Sequence, residues 1–236
     1  PWHFIDQAYL DEPGTTLEDF DFQPDDVDVV SALTDLKDFL SGSLEAESSS
    51  VYINKIAVQF PNVEDQRSFA LRLVVHYVGD IHQPLRGTSE VDQMFPQGDM
   101  GGNSHKLPAD PETGVEDLHA VWDSVIYDFP GYETLPMDDK TWDFYTSHST
   151  EFKLDYPVSP ETEEVTDFSK WAHESFQMSE TLVYPGFVEN QKPGKDYLAK
   201  ARPAMEERLT LAGVRLADLI IDIYTSLYAA ESHFLQ

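Results

Sequence analysis

The amino-acid sequence predicts an all-α single domain spanning residues 1–236. Apolar residues recur at helical spacing in one segment after another, with turn-rich stretches between them. The chain is long enough for one sizeable core, and its 41% hydrophobic and 12% aromatic content suits a globular protein. No internal repeat and no linker divides it.

Residues 7–26 are acidic and turn-rich (DEPGTT, FQPDD) and read as loop. Val27, Val30, Leu33, Leu36 and Leu40 predict an amphipathic helix over 27–41, and a Ser-rich stretch follows at 41–50. VYINKIAVQF (51–60) alternates in part; a short helix is preferred to a strand. Pro61-Asn62 opens a strong helix carrying Phe69, Leu73, Val74, His76 and Tyr77, with Gly79 and Pro84 bracketing its end. The Gly-, Pro- and Asp-rich residues 87–114 are expected to form a long functional loop. Helices are predicted over 116–127, around 140–150 and in FSKWAHESFQMSETLVY (168–184). The last pattern, 196–228, places Met205, Leu209, Leu216, Leu219, Ile220, Ile223 and Leu227 on one face, with a kink expected at Pro203.

The composition excludes several classes. Fifteen Lys and Arg stand against 44 Asp and Glu, a formal charge of −29, so no basic groove grips a nucleic-acid backbone. Any phosphate contact must be local, through a metal or a few fixed donors. The absence of cysteine excludes disulfides and thiolate zinc sites. The longest apolar run, LADLII (216–221), is too short to span a bilayer, so no membrane partner is expected. The chain opens on PWHFID without a signal-peptide pattern, and upstream sequence is expected.

The chemistry concentrates in HYVGDIHQPLR (76–86). His76 and Asp80 are four residues apart, on one helix face. DLHAVWD (117–123) repeats the device with His119 and Asp123. One such pair is commonly a cap or a surface ion pair. Two pairs beside a third histidine, His3, are what a helical zinc site requires. WHFID adds Phe4 and Asp6, and GGN (101–103) offers a turn whose backbone can approach a ligand. His148, His173 and His233 have no partner at metal spacing and read as structural or exposed.

In that order, HFID, HYVGDIHQPLR, GGN and DLHAVWD resemble the S1/P1 nuclease family. WAHESFQMSETLVYPGF and DYLAKARPAMEERLTLAGVRLADLI look like the closing helices of its plant and fungal members. The resemblance implies the all-α phospholipase C/P1 nuclease fold. It implies a zinc-dependent endonuclease and 3′-nucleotidase that hydrolyses single-stranded RNA and DNA to 5′-phosphates, with up to three zinc ions activating the nucleophile and stabilising the leaving 3′-oxygen. Carried over by position, His3, His76 and Asp80 match ligands of a first zinc, with Asp80 also bridging to a third. His119 and Asp123 match ligands of a second. Phe4 and Asp6 match residues that hold the nucleobase, Asp6 lying close to the chemistry, and Asn103 belongs to the substrate-binding loop. His82 matches a common residue that is not usually a ligand. A secreted protein is implied by the family alone.

Two departures matter. The family motif ends HQPLH, its last histidine ligating the second zinc, and this sequence has Arg86 there. A guanidinium has no lone pair to give and cannot ligate. It is expected to take the cation's place and pair with Asp123, unless His105 swings in as a substitute ligand. The family's early ligands, before HFID, have no counterpart in this sequence, so fewer zinc ions than three, or none, are expected. The rival reading is therefore a catalytically inactive nuclease-fold protein with a structural or assembly role, capable of self-association. A phosphodiesterase acting on a phospholipid headgroup is a third reading, disfavoured by HFID.

Overall fold

The computed structural model describes residues 2–44, 49–129, 131, 134–163 and 166–234. The fold is all-α, as the sequence predicts. Helix α1 (Val29–Leu40) starts where Asp28 accepts a 2.7 Å hydrogen bond from the Ser31 backbone N–H. α2 (Val51–Gln59) is the short helix expected at 51–60. Asn62 caps α3 (Val63–His82) through the Glu64 N–H. After α3 come a 3-10 turn (Pro84–Gly87) and α4 (Leu118–Asp123), which Asp117 caps. α5 (Asp139–Asp155) is longer than the segment expected around 140–150, and α6 (Pro160–Glu163) is one turn. α7 (Phe168–Met178) continues into a π-helical turn (Ser179–Val183). α8 (Lys195–Phe234) runs through Pro203 without a break in the helix.

α3 is the central element and packs against α1, α2, α7 and α8. Its apolar face buries Ala70, Val74, Val78 and Ile81 against Leu33 and Leu36 of α1 and Ala212 and Leu219 of α8. A second cluster, built on Leu118, Val121, Trp122 and Ile126, fixes α4 against the start of α8. Of the face expected on α8, Met205, Leu219 and Ile223 are buried, whereas Leu209 is exposed. Buried residues outside that expected face include two arginines, Arg208 and Arg215, beside Ala201, Thr210, Leu211 and Ala212.

Two expected loops are corrected. Residues 7–26 contain strand β1 (Ala8–Leu10) and a 3-10 turn (Leu17–Asp19), and residues 87–114 contain strand β2 (Ser89–Val91). The strands pair in parallel, with Ala8 opposite Ser89 and Leu10 opposite Val91. Their ladder draws HFID onto the end of α3, where the Ile5 N–H donates to the Arg86 carbonyl at 2.9 Å.

Candidate metal centre

One turn of α3 and the chain before β1 build the first half of the site. His76 and Asp80 share a helix face, and Nε2 of His76 lies 3.2 Å from Oδ2 of Asp80. The HFID segment brings His3 alongside, its Nδ1 2.9 Å from the same carboxylate oxygen and 3.0 Å from His76 Nε2. Two imidazoles and a carboxylate thus converge on one point, as borderline divalent cations require. Asp80 is buried, while both histidines reach solvent. The Asp80 hydrogen bond raises the His76 imidazole above its ordinary value, although burial works against it. The donor set fits zinc.

The second half sits on α4. His119 Nε2 lies 3.3 Å from Asp123 Oδ2, again at i, i+4. His119 Nδ1 bonds the Gly101 carbonyl at 2.7 Å, which places the proton on Nδ1 and turns Nε2 toward Asp123. Met100, Gly101 and Gly102 are all left-handed at this turn. A Cβ on Gly101 would lie 2.4 Å from the Leu85 carbonyl oxygen, so only glycine fits there.

Arg86 stands between the two halves. Its Nε donates to Asp80 Oδ1 at 3.1 Å and its NH2 to Asp123 Oδ2 at 2.8 Å. The sequence reading anticipates the Asp123 pair; the Asp80 pair is added by the structure. Gln83 holds the other Asp123 oxygen at 2.9 Å. Burial alone would raise the Asp123 carboxyl, but His119, Arg86 and Gln83 together hold it well below the usual carboxylate range. The His119 and Asp123 pair therefore faces a cation already, and this set does not fit a second zinc. His105 offers no repair. Its ring is only 7% exposed and is directed at Glu90, Asp99 and Glu189.

A cavity of about 780 Å³ opens over both halves, lined by His76, Asp80, Arg86, Asn103, His119 and Asp123. Asn103 turns its amide back to the Met100 carbonyl at 2.8 Å. Phe4 and Asp6 are not among the residues lining the cavity. The Phe4 carbonyl receives the N–H of Val29 at the head of α1. Asp6 is raised by burial and by the nearby Asp25 and Asp99 carboxylates. His82 is structural: Nδ1 donates to the Val78 carbonyl and Nε2 accepts from Arg215. Sequence reasoning missed Gln83 and Asp99, which organise the site through the Asp123 carboxylate and the glycine turn. The glutamine inside HQPL, next to a ligand helix end, is the signal that could have indicated the first.

The profile of the S1/P1 Nuclease family matches residues 1–225. The chain belongs to the S1/P1 nuclease family. It is 26% identical to Nuclease S1 of Aspergillus oryzae over 231 residues, covering 92% of this chain and 69% of that protein. Endonuclease 3 of Arabidopsis thaliana is 28% identical over 162 residues, covering 66% of this chain and 52% of that protein. Endonuclease 2 of the same plant is 29% identical over 169 residues. The chain spans about half the length of these Arabidopsis relatives. Among the described residues, no helix of this S1/P1 family member is long and apolar enough to cross a membrane.

Proposed function

We propose that this S1/P1 family domain is a zinc-dependent endonuclease and 3′-nucleotidase that hydrolyses phosphodiester bonds of single-stranded RNA and DNA to 5′-phosphates, with fewer zinc ions than three. The observation that carries the proposal is the convergence of His3, His76 and Asp80, two of which, His76 and Asp80, line a cavity together with His119, Asp123 and the bridging Arg86. Zinc, when bound by the first set, supplies Lewis-acid and water-activating chemistry. Arg86 supplies a permanent positive charge where the family uses another metal, and it neutralises part of the Asp80 and Asp123 charge. His119, its tautomer set by Gly101, presents Nε2 to the cavity as a proton acceptor or donor. Asp6 is proposed to act close to the chemistry, and Phe4, Asp6 and Asn103 to hold the base and sugar of the substrate. A secreted location is proposed from the family alone.

The test uses zinc-loaded protein on single-stranded and duplex oligonucleotides, with product ends identified. Single-strand cleavage to 5′-phosphates that is lost in His76→Ala supports the proposal. Absence of cleavage by zinc-loaded wild type refutes it. A second reading is favoured by the closed Arg86–Asp123 pair: an inactive protein that keeps the nuclease fold for a structural role and self-associates. Under it, the wild type neither cleaves nor binds oligonucleotide at any zinc level.

A further inference from the structure

We propose that Glu90, Asp99 and His105 form a separate binding site for a divalent cation, away from the nuclease cavity. The three residues come from β2 and from either side of the glycine turn, and their ligand atoms lie within 4.8 Å of one another. All three side chains are buried, Asp99 completely. His105 Nε2 is 2.6 Å from Glu90 Oε2 and 3.4 Å from Asp99 Oδ2. Tetrahedral zinc with ligand bonds of about 2.0–2.2 Å spaces its donors roughly 3.3 Å apart, so the His105–Asp99 contact already has that spacing and the His105–Glu90 contact has to open.

The charge does not balance as it stands. Glu189 adds a third carboxylate, and among the described residues no Lys or Arg pairs with Glu90, Asp99 or Glu189. Even a protonated His105 leaves the cluster negative. Phe95, Tyr184 and Phe187 surround the imidazole at ring separations of 4.8, 5.8 and 5.3 Å, which removes water from it. Asp99 accepts from the Tyr184 hydroxyl and the Glu90 amide, both at 2.9 Å, and Glu90 faces His105, so a divalent cation would supply positive charge that these neutral donors do not.

The imidazole itself points to the ligand. His105 Nδ1 is buried and makes no hydrogen bond, although Glu189 Oε1 is 3.2 Å away. A proton on Nδ1, drawn to Glu189, leaves the Nε2 lone pair facing Glu90 and Asp99, the arrangement of a metal-bound histidine backed by a carboxylate. Asp99 also accepts from the Gly101 and Gly102 amides at 3.0 and 2.8 Å. A cation here would therefore brace the turn that orients His119.

The test probes zinc alone. Crystals of the whole chain with zinc are measured at the zinc absorption edge, and bound zinc per chain is counted for wild type, Glu90→Gln, His105→Gln and His76→Ala. The expected result is an anomalous peak among Glu90, Asp99 and His105, with one equivalent lost in each of the first two variants. His76→Ala loses a different equivalent and keeps this peak, so failure of the nuclease centre and failure of this site are read separately. No peak at the cluster, or full zinc content in folded Glu90→Gln, overturns the proposal. If the variants do not fold, the wild-type map decides.

Discussion

Replacing Arg86 by alanine separates its role as a cation from any role of a metal. The guanidinium bonds Asp80, whose side chain is 8% exposed, and Asp123, which is 38% exposed. Removing one partner of a buried ion pair costs roughly 3–5 kcal/mol, because the other charge stays buried and unpaired. The Asp123 contact is discounted for solvent screening, so the lower end, about 3 kcal/mol, is expected. In a domain of this size each kcal/mol moves Tm by roughly 2–4 °C, which gives a fall of about 6–12 °C in a chelator. Arg86→His is expected to behave similarly in chelator but to recover with zinc. Its imidazole completes a three-residue ligand set with His119 and Asp123. Zinc at about 100 times its Kd would return roughly 2.7 kcal/mol. Thermal unfolding by circular dichroism, with chelator and with zinc, reads both effects. A Tm within about a degree of wild type in chelator-treated Arg86→Ala, or no extra zinc in Arg86→His, would refute the assignment of Arg86 as the built-in cation.

Three further outcomes are expected. Glu174→Gln leaves the buried Arg208 and Arg215 without their shared carboxylate and should cost about 3 kcal/mol, the lower end for a buried network because Glu174 is 31% exposed. Burial opposes ionisation of Glu174, but the two arginines hold its carboxyl below the ordinary value; its contribution is full above about pH 4.5 and fades as pH falls toward that depressed value. Denaturant titrations from pH 3 to 6 should therefore show a shallower acid limb in the glutamine variant. Burial, reinforced by Arg208, keeps His82 neutral well below its usual value. The unfolded chain takes up a proton below about pH 6.5 and the folded one does not, so stability declines with acidity from there. His82→Gln should flatten this slope between pH 5 and 6.5, and an unchanged slope would count against it. Gly101→Ala should cost about 1–3 kcal/mol and shift the His119 ring resonances in NMR, since its Cβ would meet the Leu85 carbonyl at a φ of +59°.

The helices that build the first half of the site were legible because their signals are local. Asn62 caps α3 as its position before a periodic run suggests, and the i, i+4 spacing puts His76 and Asp80 on one face. The β1–β2 ladder was not legible. Three residues per strand carry no usable period, and the partners lie 81 positions apart in the chain. The length of α5 escaped because its polar sequence buries none of its side chains, leaving little apolar stripe to read. Arg208 and Arg215 look in sequence like the solvent side of α8, yet both are buried around Glu174. Nothing local in the sequence pairs a charge with a carboxylate from another helix. His105 was weighed as a replacement ligand from its nearness to GGN, but after the left-handed turn its imidazole faces Glu90, Asp99 and Glu189 and does not line the cavity.

The charge of the site decides how the two halves work together. Within a chain of formal charge −29, Asp80 and Asp123 contribute two negative charges and Arg86 returns one. Without metal the cavity stays negative and repels phosphate. One zinc at His3, His76 and Asp80 reverses that sign locally. A second dication beside Arg86 would add like charge within hydrogen-bonding reach of the guanidinium, which disfavours it. On the α3 side Arg86 takes Asp80 Oδ1 and leaves Oδ2 facing His3 and His76, whereas on the α4 side it takes Asp123 Oδ2, the oxygen that faces His119, so it opposes metal at α4 more than at α3. The substitution that removes one family ligand also supplies a fixed counter-charge for Asp123 and Asp80, so the α4 half keeps its geometry whether or not zinc is present. Under the proposed function, phosphate recognition would then depend on metal held by His3, His76 and Asp80, and both histidines of that set are open to solvent.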